Sequence, residues 1–245
     1  MLRCVEVSKE FGGLQALRNV DFSVIENSIT GLVGPNGSGK STLLNLISGI
    51  YKPDSGKILF KGEDISKLPP YAICSRGITK TSQTVQSFPD MTSIENVLIG
   101  TLFARKKDNN EKDPKNQAKE LLEFVGLGSS KFNVTAKNLN VVELRRIQLA
   151  RALATKPKLL LLDELLTGLT PKESDEAIGL VKRINKQGVT ILMVEHIMKV
   201  IMGLCNQVTV LHHGEKICEG KPNEVCNDKN VINVYLGKKY TFDEE

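Results

Sequence analysis

The alternation of short apolar runs with amphipathic helical patterns predicts an α/β fold with a mostly parallel core sheet. Three observations carry this. Ile29-Thr30-Gly31-Leu32-Val33 is a short buried-type strand that runs into a glycine-rich stretch and then into a helical pattern. Residues 159–164 and 189–194 are near-continuous apolar runs, as expected of parallel strands covered on both faces. The helical stretch from about 92 to 154 interrupts the strand–helix rhythm and reads as a lobe inserted between the first and second of these strands.

The chain in order adds an antiparallel part. Residues 2–7 and 20–25 alternate, with Val20, Phe22 and Val24 on one face, and read as strands of an antiparallel sheet. Phe11-Gly12-Gly13 lies between them. Phe11 has two open roles, an aromatic that stacks on a nucleotide base or a buried residue beside a turn.

Gly34-Pro35-Asn36-Gly37-Ser38-Gly39-Lys40-Ser41 then fits G-x-x-x-x-G-K-[ST], the pattern of a P-loop. Its glycines let the backbone wind tightly and aim N–H groups inward, making a nest for phosphate oxygens. Lys40 reaches the terminal phosphates and the Ser41 hydroxyl binds Mg²⁺. A helix over 41–48, apolar at Leu43, Leu44, Leu46 and Ile47, points its positive end at the phosphates. The expected binding set runs from Gly34 through Thr42.

Residues 51–56 form a turn, 57–61 a strand, 62–64 a turn and 71–76 a short helix after Pro69-Pro70. Residues 78–86 are mostly polar with β-favouring types. Thr92 or Ser93 caps a helix to about residue 103. Residues 105–116 are almost all charged or polar, and read as an exposed loop. Their mixed signs argue against a nucleic-acid-binding arm. Ala118, Leu121, Leu122 and Val125 follow at helical spacing, stopped by Gly126.

Asn140 and Glu143 make a variant capping box opening a helix to about Ala154. Leu159-Leu160-Leu161-Leu162-Asp163-Glu164 ends in two acids, at the strand end where an open α/β sheet places ligands. Asp163 is expected to hold Mg²⁺ and Glu164 to polarise an attacking water. Thr170-Pro171-Lys172-Glu173 starts another helix, which Gly188 ends. The strand over 189–194 leads into Glu195-His196, where His196 is either a γ-phosphate hydrogen-bonder or a structural residue. A helix over 197–204, a hairpin about His213-Gly214 and two short helices complete the chain.

Composition narrows the rest. The 245 residues suit one large domain, or one with a small lobe, and bury roughly three-quarters of the unfolded surface. The net charge of +5 is mild, spread along the chain and unaccompanied by stacking aromatics, which fits an ordinary surface better than a nucleic-acid site. Five cysteines show no C-x-x-C pair or Cys/His metal spacing and read as small core residues of a protein in a reducing compartment. No segment approaches 18 consecutive apolar residues, and the opening alternates like a strand instead of a signal peptide. An intracellular chain is expected, with any membrane role supplied by a partner.

Together the P-loop, the Asp163-Glu164 strand, the inserted lobe and His196 resemble an ABC-transporter ATP-binding subunit. The chain is similar, more specifically, to the ATPase of branched-chain amino acid (leucine/isoleucine/valine) uptake systems. That likeness rests on Phe11-Gly12-Gly13-Leu14-Gln15-Ala16-Leu17, on Phe88-Pro89-Asp90-Met91-Thr92 with Glu95-Asn96-Val97, and on Glu195-His196 with Met202-Gly203 and Leu211.

The resemblance implies the ABC ATPase fold over residues 2–237, with a helical subdomain at about 87–154 and a tail at 238–245. It implies ATP and Mg²⁺ as ligands. It puts Phe11 against adenine, Gln83 on Mg²⁺ or the lytic water and against the membrane subunit, and His196 at the switch position. It puts Asn140, Val141, Val142 and Glu143 on the signature that closes over a partner's ATP, and Gly168-Leu169-Thr170 on the D-loop. The implied partners are a second copy or a paralogous ATPase subunit, two membrane permeases and, indirectly, an extracytoplasmic substrate-binding protein. No nucleic acid is expected, and the implied location is the cytoplasmic face of the cell membrane.

The sequence departs from the family pattern in several places. The general signature L-S-G-G-Q is here Leu139-Asn140-Val141-Val142-Glu143. Ser82 replaces an aromatic before Gln83, Leu165 a Pro after Glu164, and Thr170 a D-loop Asp. Two other functions compete. A soluble ABC ATPase of DNA repair carries very long coiled-coil insertions, and one of translation usually has two such domains in a chain. A non-hydrolysing regulatory module has no need of Glu164 and His196.

Overall fold

The computed structural model describes residues 1–82, 84, 86–102, 113–195 and 197–236, and at 198 and 199 the backbone alone. Gln83, His196, residues 105–112 and the 238–245 tail lie outside the described residues. The chain divides into two compact units, Met1–Leu68 with Thr190–Glu245, and Pro69–Val189. The expected helical lobe, at about 87–154, falls within the second.

The first unit opens with β1 (Leu2–Phe11) and β2 (Leu14–Val24), an antiparallel hairpin about Gly12-Gly13. Both strands run further than the sequence pattern predicts. The register shifts between Cys4 and Val7, Val7 and Lys9, and Lys9 and Glu10. Each shift moves the inward face by a residue, so the period-two signal fades although pairing continues.

β3 (Ile29–Val33), α1 (Lys40–Ile47), β4 (Ser55–Phe60) and β5 (Glu63–Asp64) follow. β4 pairs with β1, giving an antiparallel sheet of order β2-β1-β4-β5. The turn expected at 62–64 tightens to Lys61-Gly62, both at positive φ, and so frees Glu63 and Asp64 to pair with Phe60 and Leu59.

In the second unit α2 (Pro70–Arg76) and β6 (Ile78–Lys80) lead to α3 (Ser93–Leu102) and α4 (Pro114–Phe124). α4 begins inside the segment expected to be loop. Asp113 accepts from the Lys115 N–H and Pro114 supplies a ready-set first helical position, so polar residues start the helix before its apolar stripe does. α5 (Val141–Ala154), β7 (Leu159–Asp163) and α6 (Pro171–Lys186) complete the unit. β6 and β7 pair in parallel, Ile78 beside Leu159. α3, α4 and α5 pack against one another, and Val97, Ala118, Leu122 and Ala150 on them are fully buried.

The chain returns to the first unit with β8 (Thr190–Val194), α7 (Met198–Leu204), β9 (Gln207–His212), β10 (Glu215–Gly220), α8 (Pro222–Cys226) and α9 (Lys229–Leu236). β3 lies parallel to β8 on one side and to β9 on the other. Every residue of β3, β7 and β8 is buried, as the apolar runs require.

All five cysteines are free. Burial, reinforced by Asp21, pushes the Cys4 thiol up to about 12, so it is an inert core residue. No helix among the described residues is long and apolar enough to cross a membrane, and no cluster of three metal-ligating side chains occurs among them.

Gly214, at φ 79, donates its N–H to the Ser38 carbonyl (3.1 Å) and accepts from the Arg18 N–H (2.8 Å). A Cβ there would meet the Ala16 carbonyl oxygen at 2.9 Å. Gly214→Ala is therefore expected to cost about 1–3 kcal/mol in stability. Chemical denaturation checks it: a midpoint equal to that of the wild type would show that the close approach carries no strain.

Candidate nucleotide-binding site

β3 delivers the chain to Gly34, where backbone packs on backbone. A Cβ at Gly34, at φ 149, would lie 2.1 Å from the Leu211 carbonyl oxygen and 2.6 Å from Ser38 Oγ. The glycine is thus required by the β9–β10 hairpin beside it as well as by the loop's winding. Gly39 takes the N-cap position of α1 at φ 104. It offers no side-chain acceptor, and no acid occupies the first turn. A helix start left in this state presents N–H groups and partial positive charge, which suit an anion.

Lys40 is buried and lies back along the loop. Its Nζ donates to the carbonyls of Gly34 and Pro35, each at 2.8 Å, and approaches Ser38 Oγ at 3.5 Å. Asn36, Gly37 and Ser41 are exposed beside it, and Thr42 is half-buried. A primary ammonium and an uncapped helix start converge in one concave backbone turn, and this donor set fits a polyphosphate.

The second unit holds the acids. Asp163 is buried at the end of β7, with Oδ2 paired to Lys80 Nζ at 3.1 Å. Its Oδ1 has no hydrogen-bond partner. A buried carboxylate oxygen in that state is costly, and a hard cation or its water is the kind of partner it accepts. The chemistry of this donor therefore fits Mg²⁺. Glu164 leaves the strand in the left-handed region, φ 50, a conformation that ends β7 and is uncommon away from glycine. It is half-buried, and Thr167 Oγ1 donates to its Oε2 at 3.4 Å.

Asn140 and Glu143 form a complete capping box. Asn140 Oδ1 accepts from the Glu143 N–H (2.9 Å), and Glu143 Oε2 accepts from the Asn140 N–H (3.0 Å). Glu143 Oε1 also pairs with Lys131 at 3.1 Å. Burial works against the Glu143 charge, but the Asn140 N–H and the Lys131 ammonium hold its carboxyl below the usual carboxylate range. Val141 is 58% exposed, a large apolar side chain left in solvent at the helix start, and Val142 is half-buried.

The P-loop residues from Gly34 through Thr42 thus come together within the first unit. Asp163, Glu164 and the Asn140–Glu143 turn stand in the second. Gln83 and His196 lie outside the described residues. Phe11 ends β1, 39% exposed. Sequence reasoning missed Lys80, the partner of Asp163, and Arg145, whose guanidinium donates to the Leu165 carbonyl at 3.4 Å. Both pairings join residues far apart in sequence and leave no local pattern.

Comparison with known proteins shows the family of the chain. The ABC transporter family model matches residues 17–167, and the model described as branched-chain amino acid ATP-binding cassette transporter matches residues 215–241. The chain is 33% identical over 245 residues to the high-affinity branched-chain amino acid transport ATP-binding protein BraF of Pseudomonas aeruginosa, covering 95% of this chain and 96% of that one. It is 36% identical over 241 residues to LivG of Escherichia coli, which bears the same description, covering 93% and 94%. Among solved structures, a nucleotide-free ATP-binding cassette from an ABC transporter superposes with a TM-score of 0.87 at 31% identity, over 97% of this chain and 99% of that one. A dimeric cassette in a post-hydrolysis state, bound to ADP and Pi, gives 0.82 at 27% identity, over 91% and 99%. With a family model across the P-loop and the Asp163 strand, and relatives matching nearly end to end, this chain belongs to the ABC transporter family as an ATP-binding, ATPase cassette.

Proposed function

We propose that the chain is the ATP-hydrolysing subunit of an importer for branched-chain amino acids. The observation that carries the nucleotide part is the buried Lys40 lying along a loop that ends in an uncapped helix start. The transport part is supported by the relatives BraF and LivG, both branched-chain amino acid transport ATP-binding proteins, and by the branched-chain family model over residues 215–241.

In this proposal Gly34 through Thr42 cradle the triphosphate of ATP, and Ser41, Asp163 and Gln83 hold Mg²⁺, which supplies charge neutralisation at the phosphates. Glu164 orients the attacking water and takes its proton, while His196 bonds the γ-phosphate. Phe11 stacks on adenine. Two cassettes, identical or paralogous, close over two nucleotides, with the Asn140–Glu143 turn of each facing the other's ATP. They work at the cytoplasmic face of the membrane on two permease subunits, fed by a separate substrate-binding protein.

The helix start at Asn140 also serves as a cap, and the two roles are physically compatible. A capping box occupies some first-turn N–H groups, while the dipole and the exposed Val141 edge remain available to a partner.

Three outcomes are expected. Lys40→Ala removes the ammonium of the P-loop and weakens Mg-ATP binding by about tenfold or more in calorimetric titration. An unchanged affinity would overturn the P-loop assignment. Glu164→Gln keeps ATP binding but lowers turnover by on the order of 100-fold or more, because an amide does not accept the water's proton. Wild-type phosphate release from this variant would remove Glu164 from the role of base. Asn140→Ala, made on the Glu164→Gln background, leaves ATP binding to the monomer intact and reduces the ATP-dependent dimer in light scattering. If dimerisation is unaffected and only melting falls, by a cap's worth of about 1 kcal/mol, Asn140 acts on folding alone.

A further inference from the structure

We infer that Tyr51 is a second wall of the base site, which with Phe11 makes a two-ring aromatic corner for the purine of a nucleoside triphosphate. The inference rests on the nucleotide reading of the P-loop given above and adds a residue to it.

The two rings meet although their chain segments are far apart. Phe11 ends β1, opposite Leu14 across the Gly12-Gly13 turn. Tyr51 follows α1 by a few residues. The N–H groups of Ile50 and Tyr51 both donate to the Asn45 carbonyl (2.9 and 3.2 Å), so the chain doubles back after the helix. The ring centroids are 5.1 Å apart at 68° between planes, an edge arrangement.

The corner is held from outside the rings. Lys9 Nζ stands 5.2 Å from the Phe11 centroid and pairs with Asp54 at 2.6 Å. The other Asp54 oxygen accepts the Glu10 N–H at 2.7 Å. One carboxylate thus ties the segment carrying Tyr51 to the end of the strand carrying Phe11.

Both rings are 39% exposed. An edge-paired aromatic couple that keeps ring surface in solvent is poorly used as core and well shaped for a flat heterocycle. Bases stack on such surfaces whatever their edge pattern.

The placement relative to the phosphate loop fits as well. β2 lies against the loop, since a Cβ at Gly39 would come within 2.7 Å of the Ala16 carbonyl oxygen. Phe11's partner Leu14 is two residues from Ala16, about 7 Å along the strand. α1 starts at Lys40 and leads towards Tyr51 over about 12 Å. Both rings are reached from the loop over distances on the scale of an extended nucleotide.

Calorimetric titration of the full chain with ATP and with inorganic tripolyphosphate tests this, because only ATP carries a base. Tyr51→Ala is expected to bind ATP about tenfold more weakly, the loss of one stacking contact, and tripolyphosphate as the wild type does. Tyr51→Phe is expected to restore ATP affinity, because the ring and not the hydroxyl does the stacking. ATP affinity unchanged in Tyr51→Ala would overturn the inference while leaving the P-loop reading intact. An equal loss for ATP and tripolyphosphate would also overturn it, assigning Tyr51 to the shape of the loop. A wild-type chain that binds neither ligand would overturn the nucleotide reading and this inference with it.

Discussion

The Gly214 N–H on the Ser38 carbonyl is the contact on which the phosphate loop depends. A glycine-rich loop has the most conformational freedom to lose, so it keeps a fixed concave shape only where other backbone holds it. Here the β9–β10 turn does so from one side and β2 from the other, with Gly214 bonded to both Ser38 and Arg18. Gly34 and Leu211 touch so closely that no Cβ fits between them. β3, buried between β8 and β9, sets where the loop begins. The lysine can then lie along the loop carbonyls instead of reaching into solvent, and the helix start behind it stays uncapped.

The second unit places its chemistry with local devices. Capping boxes at Asn140/Glu143 and Thr170/Glu173 start α5 and α6, each satisfying N–H groups that a helix start leaves open. Lys80 neutralises one oxygen of Asp163 and leaves the other unpartnered. The left-handed turn at Glu164 ends the strand, and Arg145 holds the carbonyl of the next residue. The Arg145 hydrogen bond thereby links α5 to the residue after Glu164 within a single compact unit.

Much of this was legible in sequence where the signal is contiguous. The strand–loop–helix at 29–48, the buried runs that became β7 and β8, and the boxes opening α5 and α6 stand where their patterns placed them. The signal failed where periodicity was broken without pairing being lost. Bulges in β1 and β2 turn alternate residues over, and the strands continue to Gly12-Gly13 beyond the alternating residues 2–7 and 20–25. α4 starts at Pro114 because a cap and a proline begin it, ahead of its first buried residue.

The sequence by itself determined the classes of element, the phosphate-binding backbone and the two acids at a strand end. These follow from residue types within a few positions of each other, where φ preferences, caps and apolar periods act. Only the tertiary structure decided that Tyr51 meets Phe11, that Lys80 pairs with Asp163 and that the His213-Gly214 turn braces Ser38. These contacts join residues whose sequence separation has no preferred value. They arise from sheet order and strand register, which depend on the packing of the whole unit and are written in no single segment.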